Sequence, residues 1–151
     1  MSSKYVAFGS LRVAFTGQTE LLRGTVTETF AAPAGAADFT VSLARGALPP
    51  PPPGALPVAQ AVDHVVYRTA EGWQRRFTAG YRGLWREYAA VEYTDQAARL
   101  TVSPDCSNVP GCVDSCTAFE HLALRARALP LHASHIQIQG SSILFTAPCG
   151  V

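Results

Sequence analysis

The residues best placed to do chemistry lie at Ala147-Pro148-Cys149-Gly150-Val151, directly after the apolar run Ser142-Ile143-Leu144-Phe145-Thr146. An apolar strand running into a small, glycine-containing turn is how a phosphate-binding P-loop begins. Backbone N–H groups of such a loop curl around phosphate oxygens, and the helix after it turns its positive N-terminus toward them. Laid on G-x-x-x-x-G-K-[ST], Ala147 takes the first glycine position and Val151 the last spacer. Alanine serves there if its φ is negative. The neutralising lysine is missing from this stretch, and the one lysine of the chain, Lys4, lies at the opposite end. Loop amides around Cys149 would lower the pKa of its thiol if the loop closed on them.

Three more cysteines and a histidine form a second candidate group: Cys106, Cys112, Cys116 and His121. Thiolate and imidazole are favoured zinc ligands. Their spacing, C-x5-C-x3-C-x4-H, matches no common zinc knuckle, so buried or loop thiols are the preferred reading and no metal site is assigned. The chain shows no export signal at its start, which makes reduced thiols the expectation.

Composition narrows the classes of function. The chain has 151 residues, 48% of them apolar and 15% charged, with a formal net charge of +1. That length suits one domain, and the apolar content is enough for a buried core. A near-neutral surface lacks the cationic excess that displaces counterions from nucleic acid, so no nucleic-acid partner is expected. No apolar run reaches the ~20 residues of a membrane-spanning helix, so no membrane partner is expected either. The expected location is cytoplasmic.

The elements that must position these residues are mostly strands. Tyr5 to Phe15 is apolar around Gly9, then alternates at Leu11, Val13 and Phe15. Thr25, Val26, Thr27 and Thr29 favour an extended Glu20–Phe30 segment, and Ala31–Ala37 is a loop. Phe39, Val41 and Leu43 alternate cleanly and predict a strand. Five prolines, Pro49 to Pro53, form an extended connector within a proline-rich loop at 46–57, read as a surface loop rather than a ligand for proline-recognising domains. An antiparallel meander follows from His64 to Val102, with turns at Glu71-Gly72, Gly80–Gly83 and Thr94-Asp95-Gln96. Arg68, Arg75, Arg76, Arg82 and Arg86 are assigned to its solvated face, and His64 to a structural role. Pro104–Gly111 is a loop. A helix opened by Asp114 or Ser115 should bury Phe119, Leu122, Ala123 and Ala126 and end at Pro130. Two strands come after it, with a turn at Gly140-Ser141. The fold class is α+β: a mainly antiparallel β-rich region over 1–112, one helix, and then over 113–151 the first strands of a P-loop nucleotide-binding domain.

The segment from Leu131 through His132, Ser134, His135, Ile136, Gly140 and Phe145 to Val151, preceded by Phe119-Glu120-His121-Leu122, resembles the entry to the nucleotide-binding domain of HPr kinase-like proteins, which are related in fold to phosphoenolpyruvate carboxykinases. The upstream strands resemble the β-rich leader of uncharacterised members. The resemblance implies a kinase-like phosphotransferase that uses ATP and Mg²⁺ to phosphorylate a protein or small-molecule acceptor. It implies nucleotide-binding roles for Ala147, Pro148, Cys149, Gly150 and Val151. His132 falls where the family carries a histidine near the phosphate site, able to accept a proton or orient the acceptor. His135 points to the opposite strand face. Read this way, the chain is a truncated HPr kinase-like protein stopping inside its P-loop, inactive alone, with a sheet edge at Ser142–Thr146 open to homo-oligomerisation. The competing reading is a non-catalytic binding or scaffold module of the same fold.

Overall fold

The structure is a computed structural model that describes residues 3–81, 84–117, 122, 134–138 and 141–145; residues 80, 81, 84, 85 and the last two segments are described through their backbone. Its main element is a nine-stranded mixed sheet. The strands are β1 (Lys4–Phe8), β2 (Leu11–Gly17), β3 (Ala31–Ala32), β4 (Phe39–Arg45), β5 (Pro57–Gln60), β6 (His64–Arg68), β7 (Trp73–Tyr81), β8 (Leu84–Tyr93) and β9 (Ala97–Val102), ordered β3-β1-β2-β4-β9-β8-β7-β6-β5. Helix α1 (Val109–Cys116) follows, and β10 (Ser134–Ile138) and β11 (Ser141–Phe145) form a separate antiparallel pair.

The hairpins come directly from turn chemistry. Phe8 faces Leu11 across Gly9-Ser10, and Gly9 at φ +60° supplies the positive φ that two-residue hairpins need. Thr94-Asp95-Gln96 joins β8 to β9, its Thr94 N–H donating to the Ala97 carbonyl at 2.8 Å. The expected meander is present with antiparallel pairing throughout β5–β9.

The sheet departs from a purely antiparallel one at β4, which runs parallel to both neighbours, β2 and β9. Parallel pairing needs a long crossover. Residues between β2 and β4 provide one, and they are not extended as expected from their threonines. They form two short 3-10 turns, Thr19–Leu22 and Thr27–Phe30. The threonine hydroxyls explain this: Thr25 Oγ1 donates to the Leu22 carbonyl at 2.6 Å, Thr29 Oγ1 to the Val26 carbonyl at 2.6 Å, and the Glu28 N–H donates to Thr25 Oγ1 at 3.1 Å. Local side-chain bonds to backbone outcompete the ladder.

One face of the sheet carries the core. Val13, Phe15, Phe39, Val41 and Leu43 are buried on it, as the alternation predicts, and Val91, Leu100 and Val102 join them. Each contributes about 1.5–3 kcal/mol by leaving water. Cys112, Val113 and Cys116 of α1, with Leu22 of the first 3-10 turn, cover this face. The opposite face has a different cover. Gln74 and Arg76 alternate onto it and are 1% and 4% exposed, held by the proline run: Gln74 Nε2 donates to the Pro50 carbonyl at 3.0 Å, and Arg76 Nη1 donates to that of Pro49. Arg76 also pairs with both carboxylate oxygens of Glu87, its Nε–Oε1 bond being 2.7 Å. This corrects the assignment of Arg76 to a solvated face. Nor are the prolines merely a solvent-facing loop, because their carbonyls satisfy buried donors.

Helix α1 corrects a second expectation. It starts within the segment read as a loop, at Val109, capped by Asn108, whose Oδ1 accepts from the Gly111 N–H at 3.2 Å. Pro110 fits in the first turn because an N–H there has no intrahelical partner. Asp114 therefore opens no helix. Its carboxylate instead accepts from the N–H groups of Val26 (2.7 Å) and Thr27 (3.0 Å) and from Thr27 Oγ1 (2.8 Å), fastening α1 to the crossover. Leu122 is helical and buried, in keeping with the expected stripe; Phe119, Ala123 and Ala126 lie outside the described residues.

Candidate functional site

The nucleotide-binding candidates Ala147, Pro148, Cys149, Gly150 and Val151, the catalytic candidate His132, and His121 all lie outside the described residues. The strands leading to them are described. β10 pairs with β11 with Ile136 opposite Ile143 and Ile138 opposite Ser141, so Ser141, read as a turn residue, is already in the ladder.

Within the described residues the densest reactive grouping is a thiol cluster on the core face, and a β-bulge helps to build it. Phe77 faces Ala89 while Thr78 faces Glu87, which leaves Tyr88 as an extra residue on β8. Bulges re-aim side chains and break the ladder locally. Here the freed Tyr88 carbonyl accepts from the Ser103 N–H at 2.8 Å, and the Tyr88 ring lies 6.2 Å from that of Phe77 at 42°. Tyr88 is half-buried and packs against the cluster that holds Cys112 and Cys116. Burial first, and then the adjoining Cys116 and Cys112, push its pKa well above the ordinary phenol range, so Tyr88 stays a neutral phenol.

The thiols of Cys106, Cys112 and Cys116 belong to one buried cluster between α1 and the sheet. All three are buried and none is in a disulfide. The neighbouring Cys116, followed by burial, pushes the Cys112 thiol far up; burial leads the rise at Cys106, opposed by the Asn108 N–H and by Arg45. Arg45 reaches this loop from β4, its Nη2 donating to the Pro104 carbonyl at 2.7 Å. Thiols so perturbed are protonated at neutral pH and weak as nucleophiles. A cavity of about 630 Å³ opens beside them, between Arg86 and Tyr88 of β8, Asp105 and Cys106 of the loop, and Cys112 and Ser115 of α1. Its size is that of a small-molecule site. Among the described residues no group of three or more His, Cys, Asp or Glu is arranged to hold a metal ion.

Elsewhere, His64 stands at the start of β6 as expected. Its Nδ1 is 2.7 Å from Asp63 Oδ1, and Arg75 Nη2 approaches its Nε2 at 3.3 Å. The hydrogen bond to His64 is the main cause holding the Asp63 carboxyl below its ordinary range. On the second sheet face a further cavity of about 580 Å³ adjoins Thr40, Ser42, Glu92 and Arg99, the last two directly opposed across β8 and β9.

Sequence reasoning picked out the three cysteines but not Tyr88 or the bulge. The spacing of Cys112 and Cys116 puts both on one helix face. Nothing local signals that Cys106 and Tyr88 join them. Among the described residues no helix is long and apolar enough to cross a membrane. Comparison with protein-family models, curated proteins and solved structures gives no match.

Proposed function

We propose that this chain carries the β-rich leader and opening hairpin of an HPr kinase-like phosphotransferase, whose reaction moves a phosphoryl group from ATP, with Mg²⁺, to a protein or small-molecule acceptor. The observation that supports this reading is the register of β10 on β11, which delivers an apolar strand to Ala147-Pro148-Cys149-Gly150-Val151 at the point where a P-loop would start. In this reading the N–H groups of Ala147, Cys149, Gly150 and Val151 face phosphate oxygens; Pro148 has none to offer. His132, as neutral imidazole, accepts a proton from the acceptor or orients it. Bound Mg–ATP supplies the transferable group. Copies of the chain associate through an open sheet edge, which light scattering at high concentration tests: a sharp monomer contradicts it.

The 151-residue polypeptide holds no lysine after Lys4 and so lacks the cation for terminal phosphates. It is expected to show no micromolar affinity for Mg–ATP by calorimetry. Reading the codons that follow Val151 tests the assignment cheaply. Gly-Lys-Ser or Gly-Lys-Thr is expected. An unrelated, stably folded continuation would instead favour a non-catalytic binding or scaffold module.

A further inference from the structure

The thiol cluster has no role in the reading above, and its arrangement points to a redox one. Cys106 and Cys112 sit two residues before the cap of α1 and four after it. These are close to the positions that a hydrophobic staple brings together across a helix start. Both line the 630 Å³ cavity, whereas Cys116 is fully buried and is not part of the cavity wall. Both side chains belong to the same buried cluster beneath α1. The segment that carries Cys106 is a turn, pinned by the Cys106 N–H donating to the Ser103 carbonyl at 3.1 Å and the Asp105 N–H to Ser103 Oγ at 3.2 Å. A turn outside the sheet can adjust to the closer approach that a disulfide requires.

We propose that Cys106 and Cys112 are a peroxide-oxidisable pair that closes into a disulfide, bolting the approach segment to the body of α1. Cys106 is the attacking sulfur, because it is the more exposed of the two, 9% against 4%. Its sulfur attacks one peroxide oxygen. The S–O bond forms as the O–O bond breaks, and the departing hydroxide takes up the thiol proton as water. The Cys112 sulfur then attacks the sulfenic sulfur. The S–S bond forms, the S–O bond breaks, and the Cys112 proton leaves with the hydroxyl as a second water. Two thiols lose two electrons, and one peroxide becomes two waters.

The test is hydrogen peroxide treatment of the folded protein, alkylation of the remaining thiols, and non-reducing peptide mapping. The expected product is one intramolecular Cys106–Cys112 link. Cys106→Ser and Cys112→Ser each bring it to background, and Cys116→Ser leaves its yield unchanged. The same treatment in denaturant should give mixed linkages. A dominant Cys112–Cys116 link, a dominant link through Cys149, retention of all thiols, or the same single link in the unfolded chain would each overturn the proposal.

Discussion

The two faces of the large sheet are buried by different means. On one, aliphatic and aromatic side chains from six strands meet α1 and the first 3-10 turn, and the gain is removal of apolar surface from water. On the other, Gln74 and Arg76 are just as deeply buried, yet what covers them is a run of prolines offering carbonyl oxygens. Proline suits that task. It has no N–H to satisfy, its φ is fixed before folding, and its carbonyl is free to accept. The first face rests on volume and fit; the second rests on completing the hydrogen bonds of groups that would be costly to bury alone.

That contrast can be broken at four points. Truncating the apolar face should do most: Phe39→Ala is expected to cost about 3–5 kcal/mol in denaturant-induced unfolding. On the polar face, Glu87→Ala strips Arg76 of its counter-charge. Glu87 is 42% exposed on its side chain, so the loss should be smaller than for a fully buried pair, about 1–3 kcal/mol. The sharper outcome concerns the double variant. Glu87→Ala with Arg76→Met should be more stable than Glu87→Ala alone, because no orphan charge remains. A double variant less stable than the single one would mean that Arg76 acts through packing rather than charge.

Acid provides an independent probe of the same pair. Hydrogen bonding from Arg76 is the main cause holding the Glu87 carboxyl below its ordinary value of 4.5. The contribution of the pair is therefore complete above pH 4.5 and is lost as pH falls through the lower folded-state value. Glu87→Gln should flatten the acid limb of the stability profile in that window, and an unchanged limb would contradict it.

Smaller effects refine the picture. Asp114→Ala removes three hydrogen bonds that tie the cover of the apolar face to the crossover, at an expected cost of about 1–2 kcal/mol. Gln74→Met should change stability by less than about 1 kcal/mol, because the Gln74 amide oxygen is itself buried without a hydrogen-bond partner among the described residues. A large loss there would show that the proline cover depends on the amide.

What the sequence disclosed divides along similar lines. Alternation at Phe39, Val41 and Leu43, and the turn at Thr94-Asp95-Gln96, are local signals, and the structure follows them. The parallel setting of β4 is not local; it depends on a crossover whose threonines favour strands by propensity and turns by hydrogen bonding. The start of α1 was legible in principle from Asn108 and Pro110, but a proline- and glycine-containing stretch reads first as loop. The burial of Arg76 is not legible locally, because its partners, Glu87 and Pro49, come from two other segments. In the thiol cluster, Cys112 and Cys116 share a helix face by spacing alone. Tyr88 reaches them only through a bulge that no pattern announces.

The proposed function rests on the segment after β11, and one titration addresses it most directly: Mg–ATP into the protein carrying whatever residues its gene encodes beyond Val151, beside the 151-residue chain. The account predicts saturable binding by the former that disappears when the loop lysine is replaced, and none by the latter. Equal binding by both, or none by a folded longer protein, would contradict it.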